Sequence, residues 1–281
     1  MKPRPFALLA ALPLLLSGTA AHAATTSFNT GSLGAAANGT NGDPVVLNQP
    51  GAVTAGGDTS NGYSGGAITS VPFQAALNPG VASAFTIEFW ANPSASDNDD
   101  AVISNRVAAG NRSGWIFFQR AAGTGWNFRM YNGVGSALGW DLTGGTSNLN
   151  QWNHVAVTWN GSAALLYVNG VLADSTNDPA ASGVYNPNTA ANSPIMAIGA
   201  NFDGGSASTA LIDEVAFYGS ALSAVQITNH FNLASSPTPG LYQSTVRADG
   251  AMLQLSNVPE PTSALFLGLG GLALLRRRSR V

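Results

Sequence analysis

Residues 152–173, with the sequence WNHVAVTWNGSAALLYVNGVLA, decide the fold. Three runs rich in β-branched and aromatic residues occupy positions 152–159, 163–168 and 171–173. The dipeptides Asn160-Gly161 and Asn169-Gly170 separate them, and Asn-Gly favours the positive φ angles of tight hairpin turns. The stretch therefore predicts three consecutive antiparallel strands.

More strands are predicted on both sides of this meander. Residues 83–91 alternate cleanly, and shorter strand-like runs lie at 101–107, 115–120, 126–131, 195–200 and 211–218. One late helix is predicted at 224–231, because Ser223 and Gln226 have the spacing of a capping box. Many short strands with one helix indicate an all-β, two-sheet antiparallel sandwich.

Composition narrows the class of protein. The chain has 281 residues, enough for one all-β domain of about 200 residues, and it has no cysteine, which excludes disulfides and thiolate metal sites. Positions 24–234 hold four arginines, no lysine and twelve acidic residues, a net charge of −8. Such a domain cannot neutralise phosphates along a groove, so no nucleic-acid partner is expected.

Three of the strand motifs resemble a known family. Residues 85–90 (FTIEFW) look like an opening core strand of a LamG-like, concanavalin A-like jelly roll, and residues 151–159 (QWNHVAVTW) look like its central strand. Residues 211–218 (LIDEVAFY), followed by ALS at 221–223, look like its closing strand and short helix. The resemblance spans roughly residues 28–233 and implies a jelly-roll sandwich.

The first segment predicts export. Lys2 and Arg4 form a charged region before the apolar residues 6–16, and Ala21 and Ala23 give the small-x-small pattern of signal cleavage. We expect a signal peptide at residues 1–23.

The last segment has three parts in a fixed order. It opens with Val258, Pro259, Glu260 and Pro261. The apolar stretch 262–275 has 14 residues, fewer than the ~20 of a relaxed transmembrane helix. Stop-transfer arginines follow at Arg276, Arg277 and Arg278. A hydrophobic helix that acts as a transient membrane anchor is predicted, with a plain C-terminal anchor as the alternative.

This order resembles a PEP-CTERM sorting signal. The resemblance implies that an exosortase-type enzyme processes the tail on the outer face of the inner membrane of a Gram-negative bacterium that makes extracellular polysaccharide. The predicted organisation is thus a signal peptide (1–23), a LamG-like jelly-roll domain (24–234), a linker (235–257) and a sorting segment (258–281). Residues 235–240 have linker composition, and residues 241–257 either add a strand or stay loose.

No catalytic residue is predicted. Glycoside hydrolases need two carboxylates across the scissile bond, and the Glu-x-Asp-x-x-Glu pattern of the related laminarinase type is absent. Asp213 and Glu214 are adjacent, so on a regular strand they would face opposite sides. His154 and His230 are expected to pack or form hydrogen bonds.

Two kinds of ligand site remain as expectations. The resemblance implies a structural Ca²⁺ site, since LamG-like domains often carry one, with Asp213 as the candidate ligand. Trp115, Trp126 and Trp140 lie near Gly-rich turns, where exposed rings would stack on sugar faces; the alternative is that most tryptophans are structural.

The predicted function is an exported, non-catalytic LamG-like domain protein at the cell envelope or extracellular matrix. It would bind carbohydrate, such as extracellular polysaccharide, or protein. A purely structural matrix component is the alternative, and a glycoside hydrolase is a weaker one.

Overall fold

The computed structural model describes residues 25–95, 99–107, 110–120, 125–136, 138–176, 185–192 and 195–256. The predicted signal peptide, with Ala21 and Ala23, and the predicted sorting segment, 258–281, lie outside the described residues. Within the described ranges, no helix is both long enough and apolar enough to span a bilayer.

Antiparallel strands dominate the described residues, and the predicted all-β sandwich is confirmed. The first eight strands are β1 Thr25–Asn29, β2 Gly39–Asn41, β3 Val46–Pro50, β4 Thr59–Tyr63, β5 Thr69–Pro72, β6 Phe85–Pro93, β7 Asp100–Ser104 and β8 Trp115–Gln119. The remaining elements are β9 Trp126–Tyr131, β10 Leu138–Gly144, β11 Asn153–Trp159, β12 Ala164–Val168, β13 Val171–Thr176, β14 Ile195–Ile198, β15 Ala210–Tyr218, α1 Ala224–Leu233, α2 Leu241–Ala248 and β16 Ala251–Ser256.

The strands form two sheets joined along one edge. The first sheet has the order β10-β9-β8-β7-β14-β5-β2-β1, and the second has β13-β12-β11-β6-β15. On its other side β15 pairs first with β4, which carries β3, and then with β16. Because β1 pairs with β16, the two sheets are continuous there.

The meander that begins at residue 152 forms β11, β12 and β13 in the predicted antiparallel order. Asn169 and Gly170 both have positive φ angles, 51° and 75°, as a tight hairpin turn requires. The first connection is longer than predicted. The side chain of Asn160 there accepts hydrogen bonds from the backbone N–H groups of Ser162 and Ala163.

Two apolar layers flank the second sheet. The inner layer fills the space between the sheets, where the Phe89 ring meets Phe117 at 5.0 Å between centroids. The outer layer lies under α1 and α2, where Trp90, Ile227, Tyr242 and Val246 are buried together. The predicted helix is confirmed as α1, including its capping box between Ser223 and Gln226.

The prediction of a linker at 235–257 is wrong for most of that range. Residues 241–248 form α2, whose Tyr242 and Val246, one turn apart, are buried on the sheet. Residues 251–256 form β16, which pairs with β1 on one side and β15 on the other. The folded unit therefore continues past residue 234 to Ser256.

Candidate functional site

Strand β15 carries an irregularity that brings two adjacent carboxylates together. Its register against β6 shifts between Asp213 and Ala216, and Glu214 has a φ angle of 46°. A bulge of this kind changes the direction in which a side chain points. The prediction that Asp213 and Glu214 face opposite sides is therefore wrong, because it assumed a regular strand.

Asp58, on the loop that precedes β4, completes a group of three carboxylates. One oxygen from each of Asp58, Asp213 and Glu214 lies within 4.8 Å of the others. The backbone N–H of Ala52 donates to Asp213 Oδ2 at 2.8 Å, and that of Val53 donates to Asp58 Oδ2 at 3.2 Å. We call these three residues the carboxylate cluster.

The close packing of residues 51–58 at the carboxylate cluster requires a glycine at position 51. A Cβ atom on Gly51 would lie 2.3 Å from Asp58 Oδ2 and 2.8 Å from the Asp58 carbonyl carbon. Only glycine therefore permits the backbone at residue 51 to approach Asp58 this closely.

Burial raises the pKa values of all three carboxyl groups, and neighbouring negative charges raise those of Asp213 and Glu214 further. Burial and the Asp58 charge raise the pKa of Glu214 to about 8, although Gln243 and Gln254 donate hydrogen bonds to its carboxylate. Burial and the charges of Asp58 and Glu214 raise the pKa of Asp213 well above its usual value. Burial also raises the pKa of Asp58. A site of this kind needs protons or a cation to offset its charge.

The donor set fits a hard cation. Asp58 Oδ1 is buried and has no hydrogen-bond partner among the described residues. A cavity of about 20 Å³ borders Asp213 and Glu214 together with Asn61, which is room for one water-sized occupant. Ca²⁺ prefers carboxylate and carbonyl oxygens at about 2.3–2.6 Å, so ligand atoms that share it lie within roughly 5 Å of one another.

A second buried charge network holds the helices on the sheet. Glu88, on β6, accepts a hydrogen bond from Tyr218 and lies 3.3 Å from His154 Nε2 and 2.9 Å from His230 Nδ1. The other nitrogen of His230 lies 2.8 Å from Asp249 Oδ2. Burial alone would raise the pKa of Glu88, but the two histidines hold it well below its usual value. These contacts bear out the expectation that both histidines form hydrogen bonds.

The three tryptophans predicted to bind sugar are buried. Trp115 and Trp126 are 0% exposed and Trp140 is 3% exposed. Trp126 packs edge-on against Phe89, and Trp140 packs against Trp159 at 4.6 Å between ring centroids. Alternation along β8, β9 and β10 turns all three rings toward the other sheet. They therefore offer no free ring face to a ligand.

An open groove lies elsewhere, at the end of the second sheet that α1 and α2 leave uncovered. It has a volume of about 350 Å³ and is bordered by β3, β4, β6 and β15. Uncharged polar groups line its rim, among them those of Ser64, Asn92 and Thr209. Leu211 and Val46 supply an apolar lining, and Val46 is 52% exposed.

Comparison with protein families assigns the fold. A family model described as the concanavalin A-like lectin/glucanases superfamily matches residues 60–228. The chain belongs to this superfamily. A second model, described as the PEP-CTERM protein-sorting motif, matches residues 257–280. The predicted LamG-like jelly roll and the predicted sorting signal are both confirmed. No curated protein matches the chain.

Solved structures of the same fold include toxin binding domains. The binding domain of botulinum neurotoxin serotype D/C is 16% identical, with a TM-score of 0.52, over 75% of this chain and 52% of that one. The binding domain of Paraclostridial Mosquitocidal Protein 1 is 18% identical, with a TM-score of 0.50, over 74% of this chain and 52% of that one. This lectin-superfamily chain spans about half the length of those structures, and the likeness concerns the fold alone.

Proposed function

We propose that this concanavalin A-like protein is an exported, non-catalytic domain that binds neutral carbohydrate in the groove beside β3 and β4. The groove carries the proposal, because side-chain amides and hydroxyls surround an apolar lining there. Sugars present hydroxyls at their rims and C–H groups on their faces, so this arrangement matches their surface.

The buried carboxylates argue for binding without catalysis. Glu88 lies at the centre of the second sheet, but it is 0% exposed and covered by α1 and α2. Asp213 and Glu214 are 5% and 2% exposed. A glycoside hydrolase needs its acid and its base on opposite sides of a bound sugar, and these carboxylates do not meet a substrate-sized cleft.

A glycan array of neutral glucans, mannans and galactans tests the groove. We expect binding that falls by about tenfold in Asn92→Ala, which removes one amide from the rim. Asn229→Ala, on the exposed face of α1, is the matched control and should bind like the wild type. Binding that is equal in both variants, or absent from the wild type, would overturn the proposal in favour of a structural matrix component. Release of sugar from a β-glucan would favour a hydrolase.

The carboxylate cluster supports a second proposal, one structural Ca²⁺ ion held by Asp58, Asp213 and Glu214. The ion would offset the three charges and fix the loop at residues 51–58 to β15. The same two strands, β4 and β15, form a wall of the groove. We expect millimolar calcium to raise the melting temperature above that in EDTA. An unchanged melting temperature would count against the ion.

The sorting motif supports a third proposal, processing by an exosortase-type enzyme. We propose that cleavage occurs near Pro259, Glu260 and Pro261 while residues 262–275 anchor the chain in the inner membrane. A tagged chain should lose its tail in cells with an active exosortase and keep it in a deletion strain. A tail that is retained in both strains would contradict the proposed cleavage.

A further inference from the structure

The four arginines of positions 24–234 share one face of the first sheet. Arg129 lies on β9, and Arg120 directly follows β8. Arg106 lies two residues after the end of β7, and Arg112 lies on the loop between β7 and β8. This face is the one turned away from the second sheet, where Ala101, Ile116, Phe118 and Tyr131 form a separate buried cluster. We call it the arginine face.

Aromatic rings position the guanidinium groups. Arg106 lies 5.7 Å from the ring centroids of both Phe118 and Tyr131. Arg112 lies 5.9 Å from the same Tyr131 ring, and Arg129 lies 5.4 Å from Phe118. Two cations therefore share one tyrosine ring, which concentrates positive charge in a domain of net negative charge.

The charges on this face are unevenly compensated. Arg120 forms an ion pair with Asp99, and Arg129 lies 3.3 Å from Asp141 Oδ1 and 3.8 Å from Asp99 Oδ2. Arg106 is 7% exposed, and within the described ranges no carboxylate lies within 4.0 Å of its guanidinium. Its Nη1 donates to the Tyr131 hydroxyl at 3.3 Å, and its Nε has no partner among the described residues. A nearly buried cation without an anion is costly.

Backbone hydrogen bonds hold the loop that carries Arg112 in place. The N–H of Arg112 donates to the carbonyl of Gly135 at 2.7 Å, and the carbonyl of Arg112 accepts from Gly133 N–H at 2.9 Å. The loop that carries Arg112 is thereby tied to the turn after β9. Its half-buried side chain packs on the Tyr131 ring, so it loses less freedom when a ligand binds.

From these contacts we propose that the arginine face binds an acidic polysaccharide, with a uronate carboxylate received between Arg106 and Arg112. A guanidinium presents paired N–H donors that match the two oxygens of a carboxylate. The domain uses only arginine for this face and has no lysine at positions 24–234. Four arginines are too few to neutralise phosphates along a groove, so this face suits a carboxylate held by paired donors rather than a nucleic acid.

This site is separate from the neutral-sugar groove, which lies on the other sheet. Failure of one proposal therefore leaves the other standing.

Titration calorimetry with oligogalacturonates too short to gel with calcium tests the arginine face. The chain that lacks only its predicted leader, residues 1–23, should bind them and should bind malto-oligosaccharides of the same length at least about tenfold more weakly at this face. Affinity should fall as sodium chloride rises, because the contact is ionic.

Three variants locate the binding. Arg112→Gln and Arg106→Gln should each lower the affinity by about tenfold or more. Arg247→Gln removes the same charge from the exposed surface of α2 and should leave the affinity within about twofold. Because Arg106 is nearly buried, Arg112→Gln decides the outcome if Arg106→Gln does not fold. No binding by the wild type, equal losses in Arg112→Gln and Arg247→Gln, or equally tight binding of single-stranded DNA would each overturn the proposal.

Discussion

His230 Nδ1, on α1, lies 2.9 Å from Glu88 Oε1, on the central strand β6. Both side chains are 0% exposed, so the contact joins the helical layer to the sheet without access to water. Burial lowers the pKa of His230, but the Glu88 and Asp249 carboxylates outweigh it and raise the net pKa above 6.5. The pair therefore makes stability depend on pH.

The first prediction follows from the signs of these two shifts. The lowered pKa of Glu88 gives stability that is present above about pH 4.5 and lost as the pH falls. The raised pKa of His230 gives stability that is present below about pH 6.5 and lost as the pH rises through its folded value. Glu88→Gln should lower the free energy of unfolding by about 3 kcal/mol, most strongly between these limits. Urea titrations of both proteins across pH measure the difference. A difference that is flat with pH would contradict the pairing.

The carboxylate cluster gives a second prediction, with a response to pH opposite to that of Glu88. A raised carboxyl pKa means that the folded protein binds more protons, so stability in EDTA should fall as the pH rises toward 8, the pKa of Glu214. Asp213→Asn removes one of the repelling charges. It should raise the melting temperature in EDTA at alkaline pH and abolish the response to calcium.

Asp141→Asn is the control for the second prediction, because Asp141 is a surface carboxylate with 36% side-chain exposure. It should leave the response to calcium intact. If Asp213→Asn destabilised the protein in alkaline EDTA, the hydrogen bond from Ala52 to Asp213 would matter more to stability than the repulsion among the three carboxylates.

This cluster also shows how far the sequence leads. The closing-strand motif alone identifies Asp213. The alternation of side chains along a regular strand predicts that its neighbour Glu214 lies on the opposite face. The sequence gives no sign of the bulge or of the positive φ angle at Glu214 that change this. Asp58 carries no local signal. It reaches the site only because β4 pairs with β15, a long-range contact that no short window of sequence encodes.

The three tryptophans are expected at the surface on a weaker sequence signal than the one that shows their burial. The Gly-rich segments around Trp115, Trp126 and Trp140 indicate exposed side chains. In the structure, Trp126, Phe128 and Met130 share one face of β9, and all three are buried. That alternation is visible in the sequence and is the better guide. The helix at 241–248 escapes prediction because Pro237, Pro239 and Gly240 resemble a linker, whereas the strand at 251–256 is one of the two alternatives that the sequence leaves open for residues 241–257. Gly240 instead lies at the N-cap of α2, with a φ angle of 73°.

A third prediction concerns these buried rings. Trp126→Ala should lower the free energy of unfolding by about 3–5 kcal/mol, because it leaves a large cavity against Phe89. Val225→Ala, on a side chain that is 79% exposed, should change it by less than about 0.5 kcal/mol. Chemical denaturation measures both variants. A Trp126→Ala protein of wild-type stability would show that the ring does not belong to the core.

A fourth prediction tests the corrected domain boundary. A chain ending at residue 234 loses α2 and β16, exposes Trp90, and leaves β1 and β15 without their partner strand. It should aggregate or lose its cooperative thermal transition. A chain ending at residue 256 is the control and should melt as one unit. Cooperative unfolding of the shorter chain would restore the boundary at residue 234.

The pairing of β1 with β16 has a mechanical consequence. Phe28 lies opposite Ser256, and β16 is bonded on its other side to β15. Ladder hydrogen bonds run perpendicular to the strands, so a pull applied at Ser256 along the chain direction would load the bonds of both ladders together. A tether attached there would meet resistance to shear before the sandwich could be opened.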